Sequence, residues 1–136
     1  MEKLQKYLQK FPQTIVYFYP KDNTPWCTIE AHDFSTYKNV FNKNWIGIVW
    51  VSKDSETSHT HFIEKQCLTI DLLSDEDLSL HKQFWVWGEK NMYGKIVHGT
   101  IRSTFLLDQH WTILKERRNV KAAGHVQKLL DELHIA

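Results

Sequence analysis

Apolar positions along the chain fall into two kinds of pattern. In "EKLQKYLQKF", Leu4, Tyr7, Leu8 and Phe11 lie three and four apart, which is the spacing of one helical face, and Pro12 closes the segment. "TIVYFY" at 14–19 is instead a continuous β-branched and aromatic run, and "WIGIVWVS" at 45–52 repeats it. Such runs mark strands covered on both faces, the usual state of a mainly parallel sheet. A helical pattern follows each. The first spans Cys27 to Phe41, with Ile29, Phe34, Tyr37, Val40 and Phe41 as its apolar positions, and the second spans Ser55 to Gln66. Beyond them, "DLSLHKQF" (77–84) reads as a helix, and "STFLLD" (103–108) with "WTILKER" (111–117) as an antiparallel pair across a tight turn. "AAGHVQKLLDELH" reads as a closing helix. "WVWGEKNMYGKIVHGT" contains Gly88, Gly94 and Gly99, lacks either period, and is expected to be an irregular surface excursion that approaches the site. This order predicts an α/β fold with a central mixed sheet flanked by helices.

Length and charge narrow the picture. A chain of 136 residues is expected to form a single domain over 1–136. Seventeen Lys and Arg against sixteen Asp and Glu leave a net charge of +1, so nothing draws the whole chain to nucleic acid or an anionic membrane. No run approaches the roughly 18 apolar residues of a membrane span, and the charged start has no apolar signal segment. A cytoplasmic protein with no membrane partner is expected. Two cysteines are no disulfide scaffold, and in a reducing compartment free cysteines are catalytic, redox-active or simply buried.

Cys27 stands in "YPKDNTPWCT", just after a predicted strand and at the start of a predicted helix. Open α/β sheets bind ligands beyond the carboxyl ends of their strands, and the free N–H groups of a helix start favour negative charge there, hence a nucleophilic thiolate. Thr24 faces the same turn from three residues upstream, while Pro20 and Pro25 stiffen the loop. The plain alternative is that Cys27 only fills space.

The residues "YFYPKDNTPWCTIEAHDF" resemble the active-site segment of the peroxiredoxins, in particular the bacterioferritin-comigratory-protein or Q-type branch with its Pro-x-x-x-Thr/Ser-x-x-Cys pattern. "LLSDEDLSLHKQFWVWGEKNMYGK", "GTIRSTFLLD" and "GHVQKLLDEL" resemble later segments of the same branch. The resemblance implies a thioredoxin-like fold without the N-terminal β-hairpin usual in the family, because this chain starts almost at the first helix. It implies a thiol-dependent peroxidase that reduces hydrogen peroxide or alkyl hydroperoxides, recycled by thioredoxin or another thiol, with no metal or other cofactor. It puts the peroxidatic cysteine at Cys27, the shielding proline at Pro20, the active-site hydroxyl at Thr24 and the essential arginine at Arg102. Glu30 either holds Arg102 by a charge-assisted bond or is an acid favoured by the helix start.

The sulfenic acid formed on Cys27 needs a second thiol. Many members of the branch carry the resolving cysteine five residues on, where this chain has His32, so a disulfide within that helix is impossible. Cys67, 40 residues on (67 − 27), is either the resolving cysteine, reached by local unwinding, or a buried structural one, with an external thiol then reducing Cys27 in a one-cysteine cycle. Trp26, where the branch usually has Gly, either narrows access to Cys27 or offers an apolar surface to organic hydroperoxides. A monomer or weak homodimer is expected, and a non-catalytic redox sensor or partner-binding module is the competing class. His59 and His61 are two apart on a helix and cannot ligate one metal from one face. The basic run "KERRNVK" reads as a solvated face, and Trp85 and Trp87 as core.

Overall fold

Side chains alternate across two strands buried almost throughout, and that alternation divides the core. The computed structural model describes residues 2–22, 25–92, 94–118 and 125–133. Its elements are α1 (Glu2–Leu8), β1 (Gln13–Phe18), α2 (Pro25–Lys43), β2 (Ile46–Ser52), α3 (Glu56–Gln66), β3 (Asp71–Ser74), α4 (Ser79–Gln83), β4 (Trp87–Met92), β5 (Lys95–Thr100), β6 (Ser103–Asp108), β7 (Ile113–Arg117) and α5 (His125–Glu132). Five strands form a sheet in the order β3-β2-β1-β6-β7, with β1, β2 and β3 parallel and β6 and β7 antiparallel. Ile15, Tyr17, Tyr19, Ile48 and Trp50 face Ala31, Phe34 and Phe41 of α2, Phe62 of α3 and Leu129 of α5. Val16, Phe18, Val49 and Val51 face the opposite way, against Leu4 and Leu8 of α1 and Leu80 of α4. Each such side chain contributes about 1.5–3 kcal/mol on burial, so the continuous apolar runs at 14–19 and 45–52 follow from having helices on both faces. Gly47 lets Phe11 lie against β2, because a Cβ there would stand 2.7 Å from the Phe11 ring.

Register decides what meets at the carboxyl edge of β1. Phe18 pairs with Ser103, so Arg102, one residue before β6, arrives beside Tyr19 and the loop into α2. That helix begins at Pro25, two residues earlier than the apolar pattern predicts; proline suits a first helical position, where its missing N–H would have had no intrahelical partner.

Three expectations change. The segment at 85–100 is largely a regular antiparallel hairpin, β4 with β5, rather than an irregular excursion. Glu89, Ile96 and His98, which share one face, are exposed, as is Lys95 on the other, so no core imposes an apolar period there. Trp85 is 81% exposed and not part of the core, with left-handed backbone at φ 58°. The helix at 77–84 contracts to Ser79–Gln83 behind Leu78, itself left-handed at φ 63°. Strand β3 was missed because four residues are too few to show a period. Among the described residues no helix is long and apolar enough to cross a membrane.

Candidate active site

Cys27 is the third residue of α2 and is 0% exposed. Its amide therefore belongs to the first turn, whose N–H groups have no carbonyl partner within the helix. Arg102 reaches the sulfur from just before β6, with Nη2 donating to Sγ at 3.4 Å. The guanidinium is fixed by its other arm, because Nη1 donates to the Tyr17 hydroxyl at 2.7 Å. Glu30 Oε1 lies 3.6 Å from Nη1. Pro20, partly buried, follows Tyr19 at the end of β1. Thr24 and the side chain of Trp26 lie outside the described residues.

The charges around the sulfur are coupled. Burial raises the Glu30 carboxyl to about 7 from the ordinary 4.5, with Tyr17 and Arg102 pulling against it and Asp33 adding to it. Neither Glu30 oxygen makes a hydrogen bond of ordinary geometry, which is why burial prevails. For Arg102 burial works against the charge, but Tyr17, Cys27 and Glu30 outweigh it and hold the guanidinium above its usual range. Burial, with Glu30 nearby, lifts the Tyr17 phenol far above its ordinary value, so it stays a neutral hydroxyl. Strand parity held a signal for Tyr17: it shares a face of β1 with Ile15 and Tyr19, the face that α2 covers.

Cys67 is a free, exposed cysteine and not a buried structural one. It ends α3 in left-handed geometry, φ 53° and ψ 46°. Its neighbours lean on the middle of α2: Gln66 Oε1 lies 3.0 Å from His32 Nε2, and the Thr69 amide donates to Ser35 Oγ at 3.2 Å. His32 and Ser35 are five and eight residues beyond Cys27, about 7–12 Å along the helix at 1.5 Å per residue. A disulfide needs Cα atoms within about 7 Å, so joining the two requires the first turns of α2 to unwind.

Two histidines are buried and paired with aspartates, which the sequence did not show. His59 Nδ1 lies 2.7 Å from Asp22 Oδ2, whereas His61 is exposed. His81 Nδ1 lies 2.6 Å from Asp75 Oδ2, and its Nε2 lies 2.8 Å from Thr100 Oγ1, joining the start of α4 to the end of β5. Burial works to raise the Asp75 carboxyl, but bonds from His81 and from the Leu80 amide outweigh it and lower it. Among the described residues no group of three or more His, Cys, Asp or Glu could hold a metal ion. An open groove of about 740 Å³ lined by Glu56, Ser74, Asp75, Glu76 and Asp77, among others, includes neither Cys27 nor Arg102.

Residues 3–116 match the AhpC/TSA family. The chain is 46% identical over 119 residues to peroxiredoxin Bcp of Xanthomonas campestris, covering 88% of this chain and 74% of that protein. It is 42% identical over 131 residues to peroxiredoxin Bcp of Bacillus subtilis, covering 96% and 82%. The bacterioferritin comigratory protein of Xanthomonas campestris, solved as trapped intermediate and ligand complexes bearing on alkyl peroxide reduction, superposes with a TM-score of 0.83 at 44% identity, covering 90% of this chain and 78% of that one. A cysteine-to-serine variant of PrxQ from Xylella fastidiosa superposes at 0.87 with 39% identity, covering 96% and 80%. These matches carry the thioredoxin-like fold with them. Because the similarity runs through nearly the whole chain, the protein belongs to the AhpC/TSA family, within it to the Bcp or Q-type peroxiredoxins, and is a thiol-dependent peroxidase.

Proposed function

We propose that the peroxidase reaction runs through Cys27, with Arg102 as the donor that serves first the sulfur and then the departing oxygen, and with Thr24 and Pro20 completing the site. The observation that carries this reading is the divided guanidinium: one nitrogen at 3.4 Å from Sγ, the other anchored on Tyr17 at 2.7 Å. The Cys27 thiolate attacks the nearer peroxide oxygen, the S–O bond forms as the O–O bond breaks, and the departing oxygen takes up a proton. Sulfur gives up two electrons, the peroxide gains them, and Cys27 is left as a sulfenic acid. Charge moves from sulfur to oxygen during the step, so a fixed cation beside both stabilises the transition state without reorganising. Lysine could supply the charge but not two directed arms. Thr24, three residues before Cys27, is suited to hold the peroxide in line by a hydrogen bond.

Hydrogen peroxide and alkyl hydroperoxides are the substrates this reading assigns, in keeping with the alkyl peroxide reduction of the Xanthomonas relative. Cys67 is assigned as the resolving thiol: it attacks the sulfenic sulfur once the first turns of α2 unwind, expelling water and forming a disulfide. Thioredoxin or another dithiol then reduces that disulfide, which places the cycle in a reducing, cytoplasmic compartment. The test is the second-order rate of Cys27 oxidation by hydrogen peroxide in Arg102→Lys. A fall of about 10²–10³ is expected, the loss typical of one directed donor at a developing anion. Equal rates would sink the role given to Arg102.

A further inference from the structure

Asp22, five residues before Cys27, is 4% exposed and meets three donors. A carboxylate withdrawn from water is tolerated only where hydrogen bonds replace its hydration. Its Oδ1 accepts the Tyr19 hydroxyl at 2.5 Å, while Oδ2 accepts the Ser58 hydroxyl at 2.8 Å and meets His59 Nδ1 at 2.7 Å. The Asp22 amide donates to Asp54 Oδ2 at 2.8 Å, and the same oxygen accepts the Ser52 hydroxyl at 3.0 Å. Ser52 belongs to β2, and Ser58 and His59 to α3, so a single loop residue is tied to two neighbouring elements. His59 is 3% exposed, its Nε2 has no partner, and its Nδ1 also lies 3.3 Å from the Tyr19 hydroxyl. The ring therefore spends its hydrogen bonding on the Asp22 and Tyr19 pair. Tyr19 in turn stacks on Tyr17, centroids 6.3 Å apart and planes 15° apart, and Tyr17 is the anchor of Arg102. Trp50 packs against both rings, at 4.8 Å from Tyr17 and 4.7 Å from Tyr19.

The cluster stands at a place where the chain must both hold and yield. Cys27 is fully buried beside Arg102, and meeting another thiol requires the start of α2 to leave this position. We propose that Asp22 and His59 form a latch: they pin the Pro20–Asp22 stretch to α3, hold the start of α2 closed for the peroxide step, and set how often it opens. They are positioning residues, and the proposal rests on the assignment of Cys27 above. Local opening must break the Asp22 contacts while leaving β1 and β2 intact, so the latch governs a local equilibrium rather than the global one.

Hydrogen–deuterium exchange of the reduced full-length chain, followed by mass spectrometry, tests this on wild type, Asp22→Asn, His59→Leu and His59→Asn. Loss of one charge-assisted bond is expected to raise opening about tenfold. Amides 26–32 should then exchange about tenfold faster in Asp22→Asn and His59→Leu, with 13–18 and 46–52 unchanged. His59→Asn, whose amide nitrogen can stand near the place of Nδ1, should recover most of the protection. Wild-type exchange at 26–32 in both variants would overturn the latch. So would acceleration spread evenly over the strands, no recovery in His59→Asn, or failure of both variants to fold, each of which describes a merely structural cluster. Amide exchange does not depend on what Cys27 reacts with, so failure of the latch and failure of the Cys27 assignment are read separately.

Discussion

Glu30→Gln removes one titration from the centre of the site and leaves its shape nearly unchanged. The carboxyl is fully buried, 3.6 Å from Arg102, with a pKa near neutrality at about 7 against an ordinary 4.5. Between those values the folded chain holds a proton that the unfolded chain has released, and stability falls as pH rises. The contribution of Glu30 is thus complete below pH 4.5 and lost above about pH 7, where the fold carries a buried carboxylate in its ionised form. Between pH 5 and 8 the ratio of the two binding polynomials changes by between one and two orders of magnitude, or about 2–3 kcal/mol. Glutamine is neutral throughout. Urea unfolding of wild type and Glu30→Gln under reducing conditions, at both pH values, isolates this contribution, because titrations remote from Glu30 cancel in the difference. The variant should gain about 2–3 kcal/mol on wild type in going from pH 5 to pH 8. A difference that stays constant within about 0.5 kcal/mol would refute the reasoning, and would mean that Arg102 keeps Glu30 ionised across the range as an ordinary ion pair.

Two further outcomes concern Cys67. One equivalent of hydrogen peroxide should remove both thiols and two hydrogens from a single wild-type chain by intact mass, while Cys67→Ser should gain an oxygen. A gained oxygen in both would assign the reduction of Cys27 to an external thiol. Separately, Cys67→Gly should stabilise the reduced protein by about 1 kcal/mol in urea unfolding, because residue 67 ends α3 in the left-handed region where a Cβ is penalised. An unchanged or lower midpoint would count against that strain.

Local pattern carried much of the fold. The runs at 14–19 and 45–52 announce β1 and β2 because helices cover both faces, and that requirement is written in each strand's own residues. The position of Cys27 at the junction of strand and helix was legible for the same reason. Strand β3 and the β4–β5 hairpin were not, since one has four residues and the other has exposed positions that impose no period. Spacing along the chain cannot bring Arg102 to Cys27 across 75 residues; resemblance suggested the pair, and the antiparallel register of β1 with β6 accomplishes it. Strand parity could put Tyr17 on the face that α2 covers, but its hold on Arg102, and the pairing of Asp22 with His59, belong to the tertiary level. A tyrosine in a strand, an aspartate in a loop and a histidine in a helix are each ordinary in sequence. Only burial makes them partners, because groups that water would satisfy separately must, once it is excluded, satisfy one another.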